Sequence, residues 1–174
     1  QKPHPYIGLI PGAEYGPAKR WPTEYFVEAG QQIIEQNDAH LLLLGGSGDR
    51  EAADEIADAL PADHFTNLAG ETSLAELVDA LAACDAIIAN DSGPMHVAAA
   101  VGTPVVVPFG STSPDLTGPG HPEAADSPHH LLRTETACSP CFLRECPIDT
   151  RCLKGITADR VIDAVGTILK SQAN

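Results

Sequence analysis

Short, wholly apolar runs alternate along this chain with longer stretches whose apolar residues fall at helical spacing. Tyr6-Ile7-Gly8-Leu9-Ile10 stops at Pro11-Gly12, the pattern of a buried strand that ends in a turn. A loop over 13–20 follows. From Pro22 onward Tyr25, Phe26, Ala29, Ile33 and Ile34 recur with a period close to a helical turn. Pro22 suits a first-turn position and Asn37-Asp38 supplies a stop. Leu41-Leu42-Leu43-Leu44 predicts a second buried strand, and Gly45-Gly46-Ser47-Gly48 its turn. A helix is expected over 50–60, a short strand over 66–69 and a helix over 74–83, where Ser73 and Glu76 have the spacing of a capping box. Ala86-Ile87-Ile88-Ala89 is a third apolar strand. A short helix of small residues, 96–100, then stops at Gly102, and Pro104-Val105-Val106-Val107 is a strand ending near Pro108.

Strands alternating with helices at this spacing imply βαβ units, hence an α/β domain whose parallel sheet is covered by helices on both faces. After Phe109 the rhythm breaks into a long stretch rich in Gly, Pro, Ser and Thr, with one further strand expected over 129–133. A cysteine-containing segment comes next. Thr157 is placed to cap a final helix whose stripe is Val161, Ile162, Val165, Ile168 and Leu169. A length of 174 residues fits a single domain, 1–174, and is too short for two full nucleotide-fold lobes.

Charge narrows the partners. Ten Lys and Arg against twenty-four Asp and Glu give a formal charge of −14, which repels phosphodiester backbones and anionic lipid, so nucleic acid is not expected as a partner. A small anion can still bind where local amides and one or two cations outweigh the screened distant field. No apolar run approaches the roughly 20 residues that span a bilayer. The opening Gln1-Lys2-Pro3-His4-Pro5 has neither the basic nor the apolar region of a signal peptide, so a soluble, untargeted chain is expected, and cysteines that do not read as a secreted disulfide scaffold favour a cytoplasmic, reducing setting. The chain lacks an initiator Met and reads as a processed chain or, preferably, a piece of a longer one.

In an open parallel sheet, ligands bind beyond the carboxyl ends of the strands. The richest such loop is Asn90-Asp91-Ser92-Gly93-Pro94-Met95-His96, which joins a buried strand to the small-residue helix. Gly93 lets a ligand come close, Ser92 offers a hydroxyl, and the first-turn amides favour an anion. Asp91 would repel phosphate, so acceptance of hydrogen bonds from loop amides or ligand hydroxyls is its expected work. An ordinary N-cap made by Asp91 or Ser92 explains the same residues equally well. In the first loop Lys19 and Arg20 are adjacent cations in a chain with only ten, suited to a diphosphate or simply solvated beside a helix start. The loop 45–49 has glycine spacing only faintly like a dinucleotide fingerprint, and the first strand lacks that fingerprint altogether, which disfavours hydride transfer. Gly110-Ser111-Thr112-Ser113-Pro114 supplies hydroxyls to a phosphate or sugar, or is plain turn chemistry. No nucleophile elbow or Walker lysine is present.

Pro11-Gly12-Ala13-Glu14-Tyr15-Gly16-Pro17-Ala18-Lys19-Arg20-Trp21-Pro22 and Asn90-Asp91-Ser92-Gly93-Pro94-Met95-His96-Val97-Ala98-Ala99-Ala100 closely resemble the carboxy-terminal domain of the ADP-heptose:lipopolysaccharide heptosyltransferases of glycosyltransferase family 9. Asn67-Leu68-Ala69-Gly70-Glu71-Thr72 and Phe109-Gly110-Ser111-Thr112-Ser113-Pro114 fit the same pattern in order. The resemblance implies the Rossmann-like C-terminal lobe of a two-lobed GT-B enzyme that holds ADP-heptose. An amino-terminal lobe would supply the catalytic carboxylate, the lipopolysaccharide core acceptor surface and any peripheral contact with the inner membrane. It implies Lys19 as the diphosphate lysine, and Asp91, Ser92, Gly93, Met95 and His96 as the diphosphate and sugar loop. Residues 46–49, Thr112 and Ser113 would lie near the nucleoside or heptose. It implies inversion by direct attack of an acceptor hydroxyl with no required cofactor or metal, and no base is assigned in this chain. Such a chain alone is expected to be inactive. A non-catalytic nucleotide-binding module and a GT-B transferase for another nucleotide sugar are the alternatives.

The five cysteines include Cys138-x2-Cys141-x4-Cys146-x5-Cys152, with Cys84 apart. Four thiolates can hold zinc, but only Cys138 and Cys141 have knuckle spacing, so no metal is expected and free thiols, or a disulfide formed in handling, are the preferred reading.

Overall fold

The computed structural model describes residues 4–120 and 127–173. The linker-like first three residues, and positions 121–126 of the Gly- and Pro-rich stretch, lie outside the described residues.

Six strands form one sheet: β1 Tyr6–Ile10, β2 His40–Leu43, β3 Phe65–Asn67, β4 Ala86–Ala89, β5 Val105–Pro108 and β6 His130–Leu132. Their order is β3-β2-β1-β4-β5-β6, and every pairing is parallel. This is the doubly wound arrangement in which the strand order reverses between β1 and β4, so a crevice opens there at the carboxyl ends.

Seven α-helices complete the described chain: α1 Thr23–Asn37, α2 Arg50–Asp58, α3 Leu74–Ala83, α4 Gly93–Ala100, α5 Pro114–Thr117, α6 Arg151–Lys154 and α7 Ala158–Gln172. Side chains alternate across the pleat, so each strand feeds both cores. Ile7, Leu9, Leu41, Leu43 and Ile88 pack beneath α1, α2 and α7, whose Phe26, Ile33, Ile56, Val161 and Val165 are buried with them. Ile10, Leu44, Ile87, Val105 and Val107 face α3 and α4, meeting Leu81, Met95 and Ala98. Gly8 lies on this second face, where a Cβ would come within 2.4 Å of Ile87 Cδ1, so the small residue makes room for the Ile87 side chain of the adjacent strand.

Several boundaries follow from single residues. Pro22 is the N-cap of α1, one position ahead of the first-turn role expected for it. Asp38 ends that helix in the left-handed region at φ 52°, and its N–H reaches Ile34 O. Gly102, at φ 88°, turns the chain out of α4 where a side chain would be strained. Ser73 accepts from the Glu76 N–H while the Glu76 carboxylate accepts from Ser73 N, which completes the capping box of α3. Because both orphan donors depend on this pair, Ser73→Ala should cost about 1 kcal/mol of stability, read as a lower urea midpoint with unchanged slope. Thr157 takes the N-cap position of α7 through its backbone and makes no side-chain cap hydrogen bond. The one-turn helices α5 and α6 were not foreseen, being too short to show periodicity.

Candidate functional site at the strand-order reversal

Asn90 directly follows β4 and is fully buried. Its Nδ2 donates to Pro11 O at 2.7 Å, and its Oδ1 accepts from Trp21 N at 2.9 Å. One amide thereby grips both ends of the loop after β1. Trp21 anchors the far end, donating Nε1–H to Ile156 O at 2.8 Å and packing edge-on to Phe26. Between these anchors the chain makes a single 3-10 turn, Pro17–Lys19.

That turn decides between the two adjacent cations. Lys19 points inward, its Nζ 2.7 Å from Asp91 Oδ2, with side chains only 12% and 4% exposed. Arg20 is exposed, and its guanidinium donates to the carbonyl of Ala13 in its own loop, at 3.4 Å. Asp91 Oδ2 also accepts from Thr112 Oγ1 at 2.6 Å and Thr117 Oγ1 at 2.9 Å. Of the two roles expected for Asp91, acceptance from loop amides or from ligand hydroxyls, the first is corrected at this oxygen: hydroxyls from the loop after β5 and from α5, together with the ammonium, take Oδ2. Oδ2 is saturated by three donors, and Lys19, with three N–H bonds, keeps donor capacity beyond its contacts with Asp91.

Nor does Ser92 close the helix in the ordinary way. It is the N-cap of α4 by backbone, but its hydroxyl donates to Asn90 O at 3.2 Å and makes no cap bond, so the first-turn amides are not claimed by that side chain. A Cβ built on Gly93 meets nothing within 4 Å. His96 is exposed at the mouth of the helix start. Lys19, Asp91, Ser92, Gly93, His96 and Thr117 surround one cavity of about 260 Å³, with Tyr15 and Glu14 on its rim.

Met95 is a correction. It faces away from this cavity into the α3–α4 core and is 0% exposed, because the third helical residue falls on the buried stripe with Ala98. Thr112 touches the site only through Asp91, while Ser113 lies on a neighbouring, larger cavity and donates its hydroxyl to Asp115 at 3.2 Å. In the loop after β2, the Asp49 carboxylate accepts from Gly46 N at 2.9 Å and lies against Gly12, where any Cβ would collide with it.

The cysteine segment straps this end of the molecule. Arg144 O accepts from Ala18 N at 3.0 Å, Arg144 Nε donates to Tyr15 O at 2.7 Å, and Tyr15 donates its hydroxyl to Phe142 O at 2.8 Å. Phe142 N also reaches Ser111 O at 2.7 Å, tying the strap to the loop after β5. Lys19 Nζ lies 4.9 Å from the Tyr15 ring centroid, within cation–π range. Among the described residues no disulfide joins the cysteines, and no group of three or more His, Cys, Asp or Glu side chains is arranged to hold a metal. Backbone N–H groups of Ile148 and Thr150 hold the Cys146 thiol below its usual range, whereas burial pushes Cys152 up.

Asn90, Thr117, Tyr15 and Arg144 were missed. Asn90 carried a signal, a polar residue closing a wholly apolar strand; the others are brought in by tertiary contacts across up to 129 positions.

The model of glycosyltransferase family 9 (heptosyltransferase) matches residues 1–151. The chain belongs to this family. Lipopolysaccharide heptosyltransferase 2 of Escherichia coli K12 is 48% identical over 118 residues, covering 66% of the family 9 chain and 34% of that relative. Lipooligosaccharide heptosyltransferase 2 of Campylobacter jejuni serotype O:2 is 34% identical over 169 residues, covering 95% of the chain and 51% of the relative. The solved E. coli ADP-heptose LPS heptosyltransferase II superposes with a TM-score of 0.84 at 37% identity, covering all of this chain and 49% of that one. The chain thus spans about a third to a half of the family 9 relatives it matches. Among its described residues no helix is long and apolar enough to cross a membrane.

Proposed function

We propose that this chain is the donor-holding half of an inverting heptosyltransferase, and that the cavity between Lys19 and the start of α4 receives the diphosphate of ADP-heptose. The carrying observation is one juxtaposition at the strand-order reversal: a largely buried ammonium held 2.7 Å from Asp91 beside helix amides that the Ser92 side chain leaves uncapped. Since Asp91 balances Lys19, the attraction for an anion comes from the remaining Lys19 donors and the positive end of α4. Among the described residues no atom lies within 4 Å of a Cβ built on Gly93, which suits close approach by a phosphate.

The nucleoside would extend over β1 and β2, toward Asp49, since in this strand order an acidic group beyond the second strand suits ribose hydroxyls. An acceptor hydroxyl of the lipopolysaccharide core would attack C1 of the heptose as the bond to the diphosphate oxygen breaks. Negative charge then grows on ADP, where Lys19, Ser92 and the helix amides stabilise it, so this reading calls for no metal. The base, the acceptor surface and peripheral contact with the cytoplasmic face of the inner membrane fall to a partner lobe.

Donor identity is tested by calorimetric titration with ADP-heptose, ADP, UDP and UDP-glucose at fixed salt with metal chelated. Binding selective for the adenine ligands is expected. Equal or better binding of the uridine ligands would assign the chain to another nucleotide sugar. If Lys19→Ala and Ser92→Ala both left ADP affinity unchanged, the diphosphate reading would be abandoned.

A further inference from the structure

Thiols converge in the strap that holds the Lys19 loop. Burial pushes the Cys152 thiol up, and Cys138 and Cys146 lie close enough to add to that effect. The same two thiols act on the Arg151 guanidinium, whose main partner is the Asp149 carboxylate at 3.0 Å. Cys138 is exposed and Cys146 half-buried, so both are open to small reagents, whereas Cys152 is buried. Cys146 is set apart by its turn. The Ile148 N–H converges on its sulfur together with that of Thr150, which lies in the left-handed region at φ 55° with its N 3.3 Å from Sγ. Such donors favour the thiolate, which is the attacking form in exchange with a disulfide.

The grip on the Lys19 loop lies between these two cysteines. Residues 138 and 146 bracket Phe142 and Arg144, which hold Tyr15 and Ala18 by three hydrogen bonds of 2.7–3.0 Å. The junction is tight: a Cβ on Gly16 would fall 2.5 Å from Arg144 O. One ring passes the contact on, since the Tyr15 centroid lies 5.4 Å from Arg144 Cζ and 4.9 Å from Lys19 Nζ. A change in the course of the strap therefore reaches the ammonium at the cavity.

We propose that Cys146 is a site of thiol–disulfide exchange resolved by Cys138, and that closing this pair loosens the hold of the strap on the Lys19 loop. The oxidant is a low-molecular-weight disulfide. The Cys146 thiolate attacks one of its sulfurs, a bond forms to Cys146 Sγ as the small S–S bond breaks, and the other sulfur leaves as a thiolate. The Cys138 thiolate then attacks Cys146 Sγ and expels the second small thiolate. Two protein thiols are oxidised, one small disulfide is reduced to two thiols, and the protons of Cys138 and Cys146 pass to the departing sulfurs through solvent. An uncharged disulfide sulfur accepts the Ile148 and Thr150 N–H groups more weakly, so the turn 146–150 relaxes and Arg144, two residues before it, moves with it. The proposal rests on the diphosphate reading only for its effect on ADP, not for the thiol chemistry.

The test treats the reduced chain, with metal chelated, with 2-hydroxyethyl disulfide in wild type, Cys146→Ser and Cys138→Ser. Under limiting iodoacetamide at about pH 7, Cys146 should react about tenfold faster than Cys141. Peptide mass analysis should show a 138–146 disulfide in wild type and a mixed disulfide stalled on Cys146 in Cys138→Ser. That exposed substitution carries the test if Cys146→Ser unsettles the turn. In the oxidised wild type the amides of Tyr15 and Ala18 should shift in NMR spectra and ADP should bind about fivefold or more weakly, both reversed by dithiothreitol. Faster attack at another cysteine, pairing of Cys146 with Cys141 or Cys152, or a metal ion carried on the thiols before chelation would overturn the proposal. So would oxidation that leaves the Ala18 amide unmoved, or that moves it while ADP affinity stays equal in both states. If oxidation moves Ala18 but the reduced chain does not bind ADP, the diphosphate reading falls and the exchange site stands.

Discussion

Lys19→Met should lower ADP affinity about 10- to 100-fold, the equivalent of one charge-assisted hydrogen bond of about 1.5–3 kcal/mol. Two effects act in the same direction. The substitution removes the ammonium that faces the cavity, and it leaves the Asp91 carboxylate, 4% exposed, as an uncompensated negative charge where the phosphates are placed. Breaking a buried ion pair costs about 3–5 kcal/mol when nothing else holds the remaining charge. Here the Thr112 and Thr117 hydroxyls still donate to Asp91, so the loss of stability should be smaller than that. Lys19→Met combined with Asp91→Asn separates the two contributions: stability should return toward wild type while ADP affinity remains low. Isothermal titration and urea unfolding on the same preparations check both halves. A Lys19→Met chain that bound ADP like wild type would remove Lys19 from the diphosphate site.

Asn90→Ala is expected to be the most destabilising single change near the site, at about 2–5 kcal/mol, because it leaves the buried Trp21 N–H and the Pro11 carbonyl without their partner. The cost should appear as a lower urea midpoint with unchanged slope. Its functional consequence differs from that of Lys19. The loop that carries Lys19 is fixed at both ends through Asn90, so the variant should also weaken ADP binding although Asn90 touches no ligand. Asn90→Asp is the informative companion. It keeps the acceptor for Trp21 N–H but turns an oxygen toward the Pro11 and Gly12 carbonyls, so it should recover little of the lost stability.

Much of this architecture was legible in the chain, and particular residues show why. Strands such as Ala86–Ala89 are buried on both faces, so they are apolar without interruption and their limits are fixed by the first polar residue. Helix α3 was readable at both ends because Ser73 and Glu76 cap it within four positions. That the Lys19 and Asp91 loops meet at one cavity was legible because both follow the carboxyl ends of strands in a parallel sheet. Met95 was misjudged because loop residues and the first buried turn of α4 run together in sequence, and only the helical phase separates them. The strap could not be foreseen: its grip on the Lys19 loop is made largely by main-chain carbonyls of Phe142 and Arg144, which carry no side-chain signature. Likewise, no local pattern announces that Thr117 shares Asp91 with Thr112, since the pairing depends on the short turn of α5.

The most direct test of the account is a crystal structure of the chain with ADP. It should place the diphosphate in the cavity bounded by Lys19, Ser92, Gly93 and His96, with a phosphate oxygen about 3 Å from Lys19 Nζ and another facing the first-turn amides of α4. Well-ordered ADP whose phosphates lie elsewhere, with Lys19 still paired only to Asp91, would contradict it.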